Sequence, residues 1–123
     1  MFVVNEDKSI YLTRGDMASL KVSAEDDSGN HVFQIGDVLR LQVMEKKAAE
    51  NVVLRKEVTV KAQTEEVEIV LTGADTTFGE VISKPVDYWY EIELNPDTMP
   101  QTIVGYDEDG AKLFRLYPEG AEV

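Results

Sequence analysis

A chain of 123 residues suits one domain, long enough to bury roughly two-thirds of the surface its unfolded form exposes. It contains no cysteine, which excludes disulfides, thiolate metal sites and a cysteine nucleophile. Its 24 acidic residues outnumber 12 basic ones for a net charge of −12, a field that repels phosphate backbones and anionic lipid, so neither nucleic acid nor a membrane surface is an expected partner.

The opening "MFVVNEDKSI" has neither the basic start nor the long apolar run of a secretion signal, and residues 1–8 read as an extension before the first strand. No apolar run in the chain approaches the roughly 18 residues that a membrane-spanning helix needs. From Ser9 to Leu12 the pattern alternates, with Tyr11 facing away from Ile10 and Leu12. Leu20, Val22 and Ala24 then alternate with Lys21 and Ser23, and "EDDSGN" (Glu25–Asn30) follows as an acidic, glycine-bearing turn. "QIGD" precedes a strand in which Leu39, Leu41 and Val43 share one face while Arg40 and Gln42 share the other.

Lys46 to Asn51 reads as a turn or a single helical turn leading into an extended segment, where Val58 and Val60 alternate with Thr59 and Lys61. Val67, Ile69 and Leu71 lie opposite Glu66 and Glu68, and "LTGADTTFGE" after them crosses between sheets, with room for a short helical turn around Gly73 to Phe78. The cleanest alternation is "VDYWYEIEL": Val86, Tyr88, Tyr90, Ile92 and Leu94 on one face, Asp87, Trp89, Glu91 and Glu93 on the other. "NPDTMP" closes that strand. "QTIVGYDEDGAKLFRLYPEG" reads as a final hairpin around Asp107-Glu108-Asp109-Gly110, and residues 118–123 form a tail. Seven or eight short strands at spacings of 8–15 residues, half-buried and antiparallel, predict an all-β sandwich or barrel in one domain over residues 1–123.

The candidate chemistries are few. Arg14-Gly15-Asp16 matches a cell-adhesion tripeptide, but it sits between two alternating runs, where Gly permits positive φ and Asp bonds nearby amides; it reads as a structural turn. Carboxylates at Asp26 and Asp27 and at Asp107 and Asp109 are weak candidates for a hard cation such as calcium, without the spacing of an EF-hand loop. Paired carboxylates could also serve a glycosidase, yet acidic side chains on the wet faces of strands account for them without a cleft. His31, the one histidine, lacks a second histidine for a metal site and a serine at triad spacing. No phosphate loop, G-x-S-x-G or H-E-x-x-H occurs, so no enzyme, catalytic residue or cofactor is predicted. Trp89, on a polar face, is either an interface anchor or a cover for a loop of its own domain; with Tyr11 it marks the expected contact surface.

Taken in order, "I-x-L-T-R-G-D" (Ile10–Asp16), "GDVLRLQV", "L-T-G-A-D-T" (Leu71–Thr76) and "Y-W-Y-E-I-E-L" (Tyr88–Leu94) resemble the amino-terminal, immunoglobulin-like domain of phage baseplate upper proteins and related prophage tail proteins. The resemblance covers about Ile10 to Tyr117 and rests on short strand and turn motifs. It implies an immunoglobulin-like sandwich and a structural or adaptor role in a phage or prophage tail, with assembly onto other tail proteins or copies of itself. It also implies a location in the virion after synthesis in the bacterial cytoplasm. Baseplate upper proteins continue into assembly and docking regions beyond this domain, and the roles of those regions are not implied for this chain. The alternative function is a free-standing carbohydrate- or calcium-binding β-sandwich module, which would need a groove lined by Trp89 and tyrosines or converging aspartate oxygens.

Overall fold

The computed structural model describes residues 1–46 and 51–119, and among them it holds eleven strands and no helix. They are β1 (Phe2–Val4), β2 (Ile10–Thr13), β3 (Ala18–Val22), β4 (Glu25–Asp26), β5 (Gly29–Asn30), β6 (Val38–Met44), β7 (Val52–Thr59), β8 (Val67–Leu71), β9 (Val86–Leu94), β10 (Gln101–Val104) and β11 (Lys112–Tyr117). The larger sheet runs β1-β2-β11-β9-β6-β7, with β10 also on β9; β3 and β8 form a second sheet, and β4 and β5 a small hairpin.

Alternation explains why these two sheets stack. Odd and even side chains of a strand point to opposite faces, so each alternating run buries one face only. Ile10 and Leu12 from β2, Phe114 and Leu116 from β11, Tyr88 to Leu94 at every second position of β9, and Leu39, Leu41 and Val43 from β6 meet Ala18, Leu20 and Val22 of β3 and Val67, Ile69 and Leu71 of β8 in one buried cluster. Phe33 seals one end, fully buried, its backbone bonded in both directions to Thr64. The result is an all-β, two-layer sandwich.

Three expectations need correction. The sheets are not wholly antiparallel: β2 and β11 pair in parallel, Ile10 opposite Phe114 and Leu12 opposite Leu116. Two strands from opposite ends of the sequence need no tight hairpin, and this register keeps their apolar residues on the core face. Eleven strands replace the seven or eight expected, because β1 and the two-residue β4 and β5 carry no alternation to reveal them. The final hairpin does not form either. β10 and β11 both run antiparallel to β9 along different halves of it, β10 beside Ile92–Leu94 and β11 beside Val86–Tyr90, with the Asp107–Gly110 turn protruding between them. A nine-residue β9 offers enough edge for both, and each then adds its buried side to the core.

The loop 72–79 holds a single turn, closed by Thr76 N to Thr72 O at 3.2 Å and Thr77 N to Ala74 O at 3.4 Å, the first of them with the spacing of one helical turn. Residues 47–50 of the expected Lys46–Asn51 turn lie outside the described residues; its ends are joined by a bond from the Glu45 amide to the Asn51 carbonyl, 3.1 Å, with Asn51 at φ 55°. The expected tail, residues 118–123, is described only through Glu119.

Candidate functional site

Arg14-Gly15-Asp16 is a turn packed against the rest of the domain. The Asp16 amide donates to the Thr13 carbonyl at 3.0 Å, closing the turn, and Gly15 takes φ 86°, a conformation that side chains disfavour. The Arg14 side chain, only 11% exposed, donates to the carbonyls of Thr77 (2.8 Å) and Gly79 (3.0 Å). The fully buried Thr76 hydroxyl donates to the Asp16 carbonyl at 2.8 Å, and a Cβ on Gly73 would stand 2.8 Å from the Gly15 carbonyl oxygen. In the same loop the Asp75 carboxylate accepts from the Lys56 ammonium and the Thr72 amide, 2.8 and 2.9 Å. Those contacts, the Lys56 bond first, hold Asp75 below the ordinary carboxylate range. The R-G-D turn and the L-T-G-A-D-T segment are thus two halves of one joint between strands β2–β3 and β8–β9. Arg14 cannot be presented to a receptor in this arrangement.

Tyr11 and Trp89 do share a surface, the outer face of the larger sheet, with two kinds of neighbour. In one row across β2, β11 and β9, Tyr11, Arg115 and Asp87 stand side by side. Arg115 Nε donates to Asp87 at 2.8 Å, its guanidinium lies 5.5 Å from the Tyr11 ring centre, and Tyr11 meets Tyr117 edge-to-face at 5.8 Å. In the next row Leu113, Trp89, Met44 and Val52 follow one another across β11, β9, β6 and β7. Trp89 is half-buried, whereas Met44 is only 2% exposed although it lies outside the inter-sheet core. Arg115, Leu113, Tyr117 and Met44 went unnoticed in the sequence, yet the same period-two parity that placed Trp89 assigns each of them to this face.

Further along the face the surface turns polar. Arg55 Nε donates to the Gln42 side-chain oxygen at 2.8 Å, and Gln42 donates in turn to Glu91 at 3.3 Å. Burial, with Glu93 beside it, pushes the Glu91 carboxyl above its ordinary range. Arg40 ties Glu57 and Asp97 together at its end of the sheet. Charges already satisfied within the chain give such a region little to offer a partner, whereas the aromatic rows carry area.

The acidic turns are engaged in local bonds. Asp107 accepts from the Asp109 amide (2.9 Å) and from the buried Lys112 ammonium (2.7 Å), contacts that hold it below the usual carboxylate range, Lys112 first. Asp26 accepts from the Ser28 amide at 2.8 Å and stands 3.4 Å from His31 Nδ1. Among the described residues no three carboxylate or imidazole groups converge on a point where a metal could sit. Nor do the described residues include a helix long and apolar enough to cross a membrane. No family model, no curated protein and no solved structure matches this chain.

Proposed function

We propose that this chain is a structural or adaptor component of a phage or prophage tail, an immunoglobulin-like sandwich that acts by protein–protein assembly through the outer face of its larger sheet. One observation carries the reading: the short motifs that resemble tail proteins are physically one unit. Thr76 of L-T-G-A-D-T bonds Asp16 of R-G-D, and Arg14 bonds Thr77 and Gly79, so the two motifs on which the resemblance rests hold each other in place in the fold. The strand order supports the immunoglobulin-like part. A five-strand path β2-β11-β9-β6-β7 with β2 parallel to β11, faced by β3 and β8, corresponds to the first strand, the two carboxyl-terminal strands and the middle pair of such a sandwich. The contact surface is the Tyr11–Arg115 and Leu113–Trp89 rows, whose two aromatic rings are of the kind that anchors interfaces.

The test is mass spectrometry of phage particles purified after inducing the source bacterium. A stoichiometry comparable with known tail components is the expected result. Presence in the lysate alone, with particles well sampled, overturns the reading. The surface is tested in the same preparation by a Tyr11→Lys, Trp89→Arg double variant, which melts cooperatively but is missing from the particles.

A further inference from the structure

A second surface, at the end of the sandwich where β9 finishes and β6 begins, has chemistry of its own. Two adjoining hollows of about 400 Å³ and about 450 Å³ share His31, Leu94 and Gln101 and so form one groove. One wall is β10, which among the described strands pairs only with β9, so the backbone groups on its other edge have no ladder partner there. The opposite wall is the approach to the β4–β5 hairpin, from Ser23 to Asp26. Leu94, Met99 and Pro100 make the second hollow apolar, and Met99 is 78% exposed; Ile35, 71% exposed, adjoins its lining residue Gln34.

These two hollows are acidic, whereas the adjoining hollow along Thr102–Tyr106 carries Lys8 and Lys112 beside Asp107. Glu25 and Asp26 line one end and Asp37 the other, Asp27 tops the neighbouring hairpin, and among the described residues no lysine or arginine lines either hollow. Among the described residues His31 is the only lining side chain able to carry positive charge, and its Nε2 is buried without a hydrogen-bond partner there. A second copy of this acidic chain would bring like charge to the groove. Among the described residues neither hollow is lined by tryptophan or tyrosine, the rings on which a sugar would stack.

We infer that this groove is a docking site for an extended, basic segment of a partner protein, which adds to the free edge of β10, sets its cationic side chains against Glu25, Asp26 and Asp37, and seats an apolar side chain on Leu94 and Met99. Edge addition supplies main-chain hydrogen bonds, and the acidic walls select the partner and speed its approach. The inference concerns a face different from the Tyr11–Trp89 surface and stands whether or not the chain is a tail component.

The probe is a fluorescein-labelled heptapeptide alternating Lys and Val, titrated into the full chain by anisotropy and mapped by amide chemical shifts. Saturable binding is expected, with shifts confined to Gln101–Ile103, His31 and the Asn95 side chain. Glu25→Lys weakens it by at least about tenfold, whereas Glu80→Lys, an equal charge change in the exposed loop at the opposite end, changes it by less than about twofold. A peptide of the same composition with N-methylated backbone loses the site, because it cannot pair with β10. Equal losses in the two charge variants, unchanged binding of the N-methylated peptide, shifts centred on Trp89, or equal binding of a Glu-Val peptide would each overturn the inference. Both exposed glutamates leave the core untouched, and a thermal melt of each variant verifies its fold.

Discussion

Thr76 is a small residue with a large structural duty. It is fully buried, and its hydroxyl reaches the Asp16 carbonyl at 2.8 Å and the Gly73 carbonyl at 3.2 Å, joining two loops that are sixty residues apart. Thr76→Val keeps the shape and removes the donor, leaving a buried carbonyl short of a partner, so it should cost about 1–3 kcal/mol in urea unfolding. A value near zero would mean that the joint is held by Arg14 and by the bond from the Gly15 amide to the Thr76 carbonyl. The neighbouring Asp75 adds a pH signature. Its carboxyl lies below the ordinary value because it is bonded to Lys56 and to the Thr72 amide. A depressed carboxylate contributes stability that is full above its unfolded value, about pH 4, and is lost as pH falls through the lower folded value. The stability difference between wild type and Asp75→Asn should therefore be constant from pH 7 to about pH 5 and shrink below about pH 4. A difference that persists unchanged down to about pH 2 would show that the pair with Lys56 is not what Asp75 contributes.

At the scale of elements, the division of β9 between two partners makes neighbouring strands unequal. β11 is enclosed by β2 and β9, while β10 has a ladder on one side only. The amides of Phe114 and Leu116 should exchange with solvent about a hundredfold or more slowly than those of Thr102 and Val104, since a doubly paired core strand opens only with global unfolding. Comparable rates would mean that something already covers the β10 edge, which would also remove the groove as an open site. This asymmetry is the kind of feature that the sequence could not reveal. Period-two alternation assigned every buried residue of β9 correctly, from Tyr88 to Leu94, because a one-residue error would turn the whole face to water. It also gave the inward residues of β6 and β8 and the outward position of Tyr11. Alternation says which face a side chain takes and nothing about which strand lies beside it. The parallel β2–β11 pair and the separation of β10 from β11 therefore had no local signal. The turn at Gly15 was legible because glycine at φ 86° has a residue-level cause; the insertion of Arg14 into the carbonyls of Thr77 and Gly79 joins distant segments and was not. The groove was hidden for the same reason, being assembled from β10, the β4–β5 hairpin and the loop after β9.

For the molecule as a whole, two electrostatic effects of opposite sign compete. A net charge of −12 on 123 residues makes the folded state repel itself, since folding brings the carboxylates closer than the unfolded chain holds them. Against this stand ion pairs, Lys56–Asp75, Lys112–Asp107, Arg115–Asp87 and the Arg40 cluster, most of them with at least one partner open to water. Exposed pairs of this kind contribute at most about 1 kcal/mol each and often nothing, whereas unpaired carboxylates outnumber them and act over longer distances. Salt separates the two effects. Its screening length falls from about 10 Å at 0.1 M to about 3 Å at 1 M, short enough to suppress the diffuse repulsion while leaving contact pairs near 2.8 Å partly intact. Repulsion should win, so the melting temperature should rise by about 3–6 °C between 0.05 and 0.5 M sodium chloride, equivalent to about 1 kcal/mol for a domain of this size. Calorimetry under reversible conditions is the measurement. A melting temperature that falls with salt would show that the paired charges outweigh the unpaired ones. The acidic surface would then be a stabilising network in its own right, and the negative field at the β10 groove would be weaker than a basic partner requires.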